Sequence, residues 1–405
     1  MRSIDAVFPA LSEPSVRRYL TGQVVSVLGA WTQSITLNLL LWQMTRDASL
    51  LGALNFLLYG PVLVLGPFVG SRIGPRNARR SVLTVLIGSI AIALALLGLL
   101  ALDALTPVVL LVAAGGLGVL TAMEMPGRQV LLTSSLADRR LLNSAVAMNA
   151  MAYNVGRMTG PAIAALVFAR VGPAGGFVCS ACALSFMAWC VRGIHPRQEL
   201  AGKSAGGIRA AFAFARTQAF ARLYLPVLIG LAIFAGSYQT LIPVLADHEF
   251  HHVSHYTGLF FSCAGGGSLC AALLLSSKAA APLVARGLRW TPLVCGAALG
   301  IVALAAHPLP AGIGFWLLGL SLTFTATSIN VGLQSRSPDE LRGGIIGLYG
   351  TAFVGMVPIG HLIAGSLSER LGVRQTLGLN AVLLSAWIGW LLWRQSRSAD
   401  PEDED

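Results

Sequence analysis

Arg157 stands near the middle of an apolar stretch, Leu141 to Gly172, that is long enough to cross a bilayer at about 20 residues per span. A guanidinium at bilayer depth costs roughly 2.5–3.5 kcal/mol on insertion scales, so such a residue faces protein or a water-filled cavity. There it can hold an anionic substrate or a carboxylate partner. Gly156, Gly160 and Pro161 surround it. The glycines permit close helix approach and the proline permits a bend. A flexible, tightly packed, cationic helix suits a moving pathway better than a static anchor.

Other chemistry-bearing residues are sparse. Glu124 is the carboxylate that falls within a predicted span of the first half, and Arg128 follows four residues later. That is the spacing of a helical ion pair, although Pro126 distorts it. Two readings stand: a structural pair near the interface, or a protonatable coupling or gating residue. Trp31, Gln33, Ser34, Asn38 and Gln43 place several polar groups in the first span, on a face serving either interhelical hydrogen bonds or substrate contact. His248, His251, His252 and His255 gather in one connection. Three of them could share a helical face, yet their spacing matches no known metal site, so a solvated loop or a pH-sensitive patch is the expectation. Cys179-x-x-Cys182 has no second pair beside it, and the six cysteines read as small apolar residues within spans.

These residues must be positioned by a membrane domain. The 405 residues are 55% hydrophobic and 11% charged, against about 25% charged in soluble domains. Hydropathy places twelve spans at roughly 19–43, 49–70, 81–102, 106–127, 141–168, 173–194, 223–246, 256–277, 289–306, 311–332, 343–367 and 374–394. The first is too long for a signal-peptide apolar region and has no cleavage-like flank, so it stays attached. With loops assigned alternately to two sides, one side holds only Arg46, Arg170, Arg370 and Arg374. Arg157 lies inside the membrane, and the rest of the 28 lysines and arginines fall on the other side. The basic side is expected to be the cytoplasm, with both termini there. The net charge of +11 therefore implies anionic lipid headgroups rather than nucleic acid, because the arginines are dispersed over loops.

The polar interval 198–218 is expected to link two six-helix bundles, 1–197 and 219–405, the second ending in an acidic tail. A weak repeat supports the division. Val155-Gly156 aligns with Val354-Gly355, and Arg170-Val171-Gly172 with Arg370-Leu371-Gly372, at an offset of about 200 residues. Both copies follow an acidic and basic turn, Ala137-Asp138-Arg139 in one and Pro338-Asp339-Glu340 in the other. Duplicated transporters carry such repeats.

Along nearly its whole length the chain resembles the major facilitator superfamily, in its drug-exporter branch with the macrolide-efflux and enterobactin-exporter proteins. Gly29-x-Trp31-x-Gln33 is similar to the first-span pattern of that branch. Glu124-x-Pro126-x-Arg128-Gln129 is similar to its fourth-span exit, usually written with aspartate. Asn143 to Asn154, Arg157, Gly160 and Pro161 resemble its fifth span with the antiporter-type glycine-proline motif, and Pro338-x-Glu340-x-Arg342-Gly343 resembles the second-half turn. The Gly66 to Arg80 turn resembles the motif between spans two and three, with Arg72 and Arg76 in place. Ser71, however, replaces the family aspartate that helps latch that side shut.

The resemblance implies an all-α membrane protein of two six-helix bundles that rock around a central cavity and export a small organic molecule. A drug, a siderophore or another secondary metabolite fits. The expected cavity residues are Trp31, Gln33, Asn38, Asn149, Tyr153, Asn154 and Arg157. Coupling and gating fall to Glu124, Arg128, Ser71, Arg72, Arg76, Gly160, Pro161 and Arg342, with Glu124 as proton carrier. Expected partners are the substrate and the bilayer of the inner (cytoplasmic) membrane, around a monomer with no nucleic acid, metal or cofactor; the proton gradient supplies energy. An importer with the same fold is the alternative. A membrane-embedded receptor or enzyme would need a catalytic cluster, and the sequence displays no Ser/His/Asp set or metal-ligand spacing.

Overall fold

The computed structural model describes residues 9–70, 72–136, 138–194, 208–276, 280–338 and 341–398. Among them every regular element is helical, and the chain forms two compact units. The first comprises Met1–Gly202 with His252–Ser262, the second Lys203–His251 with Cys263–Asp405. Ser71, Ala137, 195–207, Asp339, Glu340 and the acidic tail lie outside the described residues, and with them 198–207 of the expected linker, whose remainder is helical over Ile208–Thr217.

In the first unit, α1 (Pro14–Thr45), α2 (Ala48–Gly70), α3 (Pro75–Ala101), α4 (Pro107–Ser134) and α5 (Leu142–Arg192) follow one another. Their ends are written in short-range chemistry. Pro14, Pro75 and Pro107 open three of them at a position where a missing N–H costs nothing. Asp47 accepts the Ser49 and Leu50 amides at 2.7 and 3.1 Å to start α2. Asn77 accepts the Gly74 amide at 2.7 Å and donates to the Arg72 carbonyl at 2.8 Å, which shapes the basic turn before α3. Pro9–Ser12 forms a short 3-10 turn ahead of α1, its Ala10 fully buried.

At 51 residues α5 would be about 76 Å long, more than two bilayer cores. It is two spans in series. Gly172, with φ 70° and ψ −170°, breaks the helix at a conformation open almost only to glycine, and Pro173 starts the next segment. Pro161, by contrast, sits inside helical backbone. Ten helices are long and apolar enough to span among the described residues, α5 being one of them, and Trp290–Leu304 is a shorter apolar helix. With α5 taken as two spans, the twelve expected segments are all present.

The second unit opens with α6 (Ile208–Thr217) and α7 (Ala219–Gly230). A π turn, Leu231–Ala235, interrupts the seventh span before α8 (Tyr238–His248). Next come α9 (Val253–Ser276, whose first ten residues belong to the first unit), α10 (Ala280–Leu304) and α11 (Pro308–Ser335). The eleventh span is broken as well, into α12 (Arg342–Ala352) and α13 (Val357–Leu371); α14 (Val373–Ser398) ends the described chain. Gly372, φ 92°, separates α13 from α14 as Gly172 separates the halves of α5. The hydropathy boundaries differ from these because hydropathy reads only the hydrocarbon-depth part of each helix and is blind to breaks between apolar residues.

Candidate functional site

The first unit is assembled around α1, which is wedged along both segments of α5. On one side Gly156 and Gly160 admit it: a Cβ on Gly156 would stand 2.3 Å from Val27 Cγ1, and one on Gly160 2.8 Å from Trp31 Cβ. On the other side Gly29 lies against Ala183, and Gly176 against Thr36. Small residues are the means by which membrane helices approach closely, so the glycines around Arg157 form the packing seam itself. The Trp31 ring meets Phe261 edge-on at 6.1 Å, and Gly258 packs on Ala165.

One turn further along α1 lies a buried polar cluster. Arg128 on α4 is 8% exposed. Its Nη2 forms an ion pair with Glu124 Oε1 at 2.5 Å and donates to Ser26 Oγ at 2.7 Å, while Nη1 donates to Gln23 Oε1. Pro126 does not prevent the i, i+4 pair. One guanidinium thus joins an acid on its own helix to two polar groups on α1, both fully or nearly buried. Such charge-assisted bonds are worth roughly 1.5–3 kcal/mol each, and removing one partner strands the others.

The remaining expected residues are placed as follows. Gln33 is buried and its amide oxygen accepts from Ser180 Oγ at 3.2 Å, while its amide nitrogen has no partner among the described residues. Asn38 exchanges two bonds, 2.8 and 3.4 Å, with Asn55 of α2 in a buried amide pair. Asn149 has an enclosed, unpartnered side-chain oxygen, and Tyr153, one turn on, is 47% exposed. Asn154, Arg157 and Arg342 lie on described helix backbone, but their side chains lie outside the described residues, as does Ser71. Arg72 and Arg76 are exposed beside the Asn77-bound turn. Gly160 and Pro161 are buried.

Sequence reasoning missed the partners. Gln23 and Ser26 share a face of α1 by their three-residue spacing, a signal that was available. Asn55 and Ser180 look unremarkable in sequence and matter only through what they face. In the second unit Arg374 pairs with Glu249 at 2.8 Å and donates to the Ala305 carbonyl at 2.9 Å, tying the start of α14 to two connections. Thr240 on α8 lies 2.8 Å from His361 on α13, both fully buried. In the first unit His252 and His255 flank Tyr256 at 6.3 and 5.0 Å. Among the described residues no group of three or more His, Cys, Asp or Glu is placed to hold a metal ion.

Serial membrane-length helices in two units, with glycine seams and buried polar pairs, define a multi-span helical membrane protein. Solved structures with this fold include the nucleoside transporter NupG (TM-score 0.74, 11% identity, 96% of this chain and 100% of that one). A bacterial homologue of the human lysosomal transporter Spinster, inward-facing and unoccupied, is also similar (TM-score 0.71, 14% identity, 95% and 98%). Residues 6–404 match the transmembrane secretion effector family, and the chain belongs to it. Relatives include the staphyloferrin A transporter of Staphylococcus aureus, 24% identical over 371 residues (90% of this chain, 92% of that one). The multidrug efflux pump Tap of Mycolicibacterium fortuitum is 27% identical over 354 residues, 82% of each. The chain is therefore a multi-span membrane transporter of the major facilitator type and not an enzyme.

Proposed function

We propose that the protein exports a small organic molecule, a drug, siderophore or other secondary metabolite, by alternating access driven by proton antiport. The observation that carries this reading is the Arg128 cluster. Glu124 is partly exposed, at 27% of its side chain, and shares Arg128 with Gln23 and Ser26 of α1. Protonating Glu124 neutralises one of the holds on Arg128 and leaves those on α1, so proton binding changes how firmly α4 is tied to α1. Gln33 and Asn149 supply enclosed polar atoms with hydrogen-bonding capacity to spare, which supports their role in holding cargo; Arg157 is added as the cation on the strength of its place in the fifth span of the sequence. The efflux named for one relative and the secretion named for the family favour outward transport over import.

The test is transport in everted membrane vesicles energised by a pH gradient, with ethidium and staphyloferrin A as cargoes and Glu124→Gln and Arg157→Ala beside the wild type. Accumulation that collapses with the gradient supports export. Accumulation that is indifferent to the gradient overturns proton coupling, an unchanged Glu124→Gln moves the proton site elsewhere, and uptake only into right-side-out vesicles makes the protein an importer.

A further inference from the structure

The seventh and eleventh spans are both broken, and the breaks meet. In the seventh, the Gly236 amide bonds the Leu231 carbonyl at 2.8 Å across a five-residue π turn. In the eleventh, the Gly355 amide bonds the Gly350 carbonyl at 3.0 Å, again five residues back, just before α13. Alpha-helical bonding is lost at both places, and such interruptions gather at hinges and functional sites. Gly360 lets the two spans touch there: a Cβ on it would stand 2.5 Å from the Ile233 carbonyl oxygen and 3.0 Å from that of Ala232. The next residue is His361, fully buried, with Nδ1 2.8 Å from Thr240 Oγ1.

Of the six histidines among the described residues, five sit in connections or at helix ends; His361 alone occupies the interior of a span. An intramembrane ionisable residue marks a functional site by default, and histidine changes charge within the physiological range. The elements packed on α13 carry few other titratable or charged groups. The π turn has none. On α8 there are Tyr238, packed against Phe315 at 6.2 Å, and Asp247 and His248, about 10–12 Å beyond Thr240 along the axis. On α14 there are Arg374, paired with Glu249, and Arg394 and Arg397 near the far end, stacked on Trp390 and Trp393. The eleventh span itself adds Arg342 at its start, Tyr349, tilted against Phe353 at 6.0 Å, and Glu369 and Arg370 two turns beyond His361.

We propose that His361 is a proton-binding site of the second unit, and that its bond to Thr240 joins protonation to movement of the two broken spans. The inference rests on the reading of the chain as a proton-driven transporter. Neutral His361 with a bare Nδ1 accepts the Thr240 hydroxyl proton. Adding one proton makes both ring nitrogens donors, so Nδ1–H must now donate to Thr240 Oγ1, and the threonine hydrogen turns to another acceptor. The carbonyls within reach of a helical threonine hydroxyl, three and four residues back, are those of Ser237 and Gly236, which follow the π turn directly. An enclosed imidazole takes up a proton only when a donor reaches it, so uptake and opening of the break become one event. The hinge and the titratable group are then a single device.

The experiment uses the full-length protein in liposomes and needs no cargo. In 15N-histidine-labelled protein, the resonance missing from His361→Asn is assigned to His361; asparagine keeps a polar atom near the Nδ1 position and never gains charge. The expected result is conversion of that resonance to the imidazolium form as pH falls from about 8 to about 5, with a midpoint displaced in Thr240→Val. Hydrogen exchange across 231–240, corrected for its intrinsic pH dependence, should rise over the same range in the wild type and stay flat in His361→Asn. A His361 resonance that remains neutral down to about pH 5 overturns the proposal. So does exchange that responds equally in the variant. Because neither readout involves transport, a failed vesicle assay and a failed titration tell apart the exporter reading and the histidine site.

Discussion

Gly160 and Trp31 touch so closely that a single methyl group on the glycine would lie 2.8, 2.9 and 3.0 Å from Trp31 Cβ, Cγ and Cδ1. The contact recurs one turn earlier, where Gly156 meets Val27. The glycine-proline segment of the fifth span thus acts through its fit against α1.

Overpacking a well-fitted interface costs about 1–3 kcal/mol. Gly156→Ala and Gly160→Ala are each expected to lower the melting temperature of the detergent-solubilised protein. Val27→Ala removes the Cγ1 atom that stands 2.3 Å from the new methyl. The double variant Val27→Ala/Gly156→Ala should therefore be more stable than the sum of the single effects predicts, a coupling that a double-mutant cycle measures. Strict additivity would place the cost elsewhere.

Arg128 and Glu124 should behave unequally although they form one pair. Arg128→Leu strands Gln23, Ser26 and Glu124 together, and is expected to destabilise by about 2–4 kcal/mol. Glu124→Gln leaves the arginine its two partners on α1, and Glu124 is partly exposed, so less than about 1 kcal/mol should be lost. Denaturant or thermal unfolding of the two variants side by side gives the order; equal losses would show that the acid, and not α1, anchors Arg128.

Gly172 tests backbone conformation free of packing. Nothing lies within 4 Å of a Cβ there, yet φ is 70°, so Gly172→Ala is expected to cost about 1–3 kcal/mol through strain alone. Gly98, in α3, also has open space around it but ordinary helical backbone. Gly98→Ala should be neutral or stabilising by up to about 1 kcal/mol. The sign of the difference, read from thermal unfolding, is the check.

The Asn38–Asn55 pair separates packing from cargo contact. Interhelical polar pairs in membranes average about 0.6 kcal/mol and reach about 1.7. Asn38→Leu should lose about that much stability, and Asn38→Leu/Asn55→Leu should recover most of it, since no buried amide is then left alone. If transport of ethidium follows stability through this series, Asn38 serves packing. If both variants lose transport while the double variant is stable, Asn38 contacts cargo.

The sequence alone determined the class of this protein. Hydropathy over membrane-length windows is a sum over many residues, so the twelve spans were legible, as was the Glu124–Arg128 spacing. Gly172 and Gly372 were visible as a repeat 200 residues apart, although their shared positive φ was not. Only the tertiary structure decided which residues those groups meet. Gln23 and Ser26 became the second anchor of Arg128, Asn55 the partner of Asn38, and His361 the neighbour of Thr240 across 121 residues of chain. The breaks at 231–237 and 353–356 were equally invisible, because a π turn among apolar residues leaves hydropathy unchanged. The physical reason is common to all: periodicity and hydropathy are local averages, whereas a buried hydrogen bond depends on one atom meeting one other, and only the packing of whole helices brings them together.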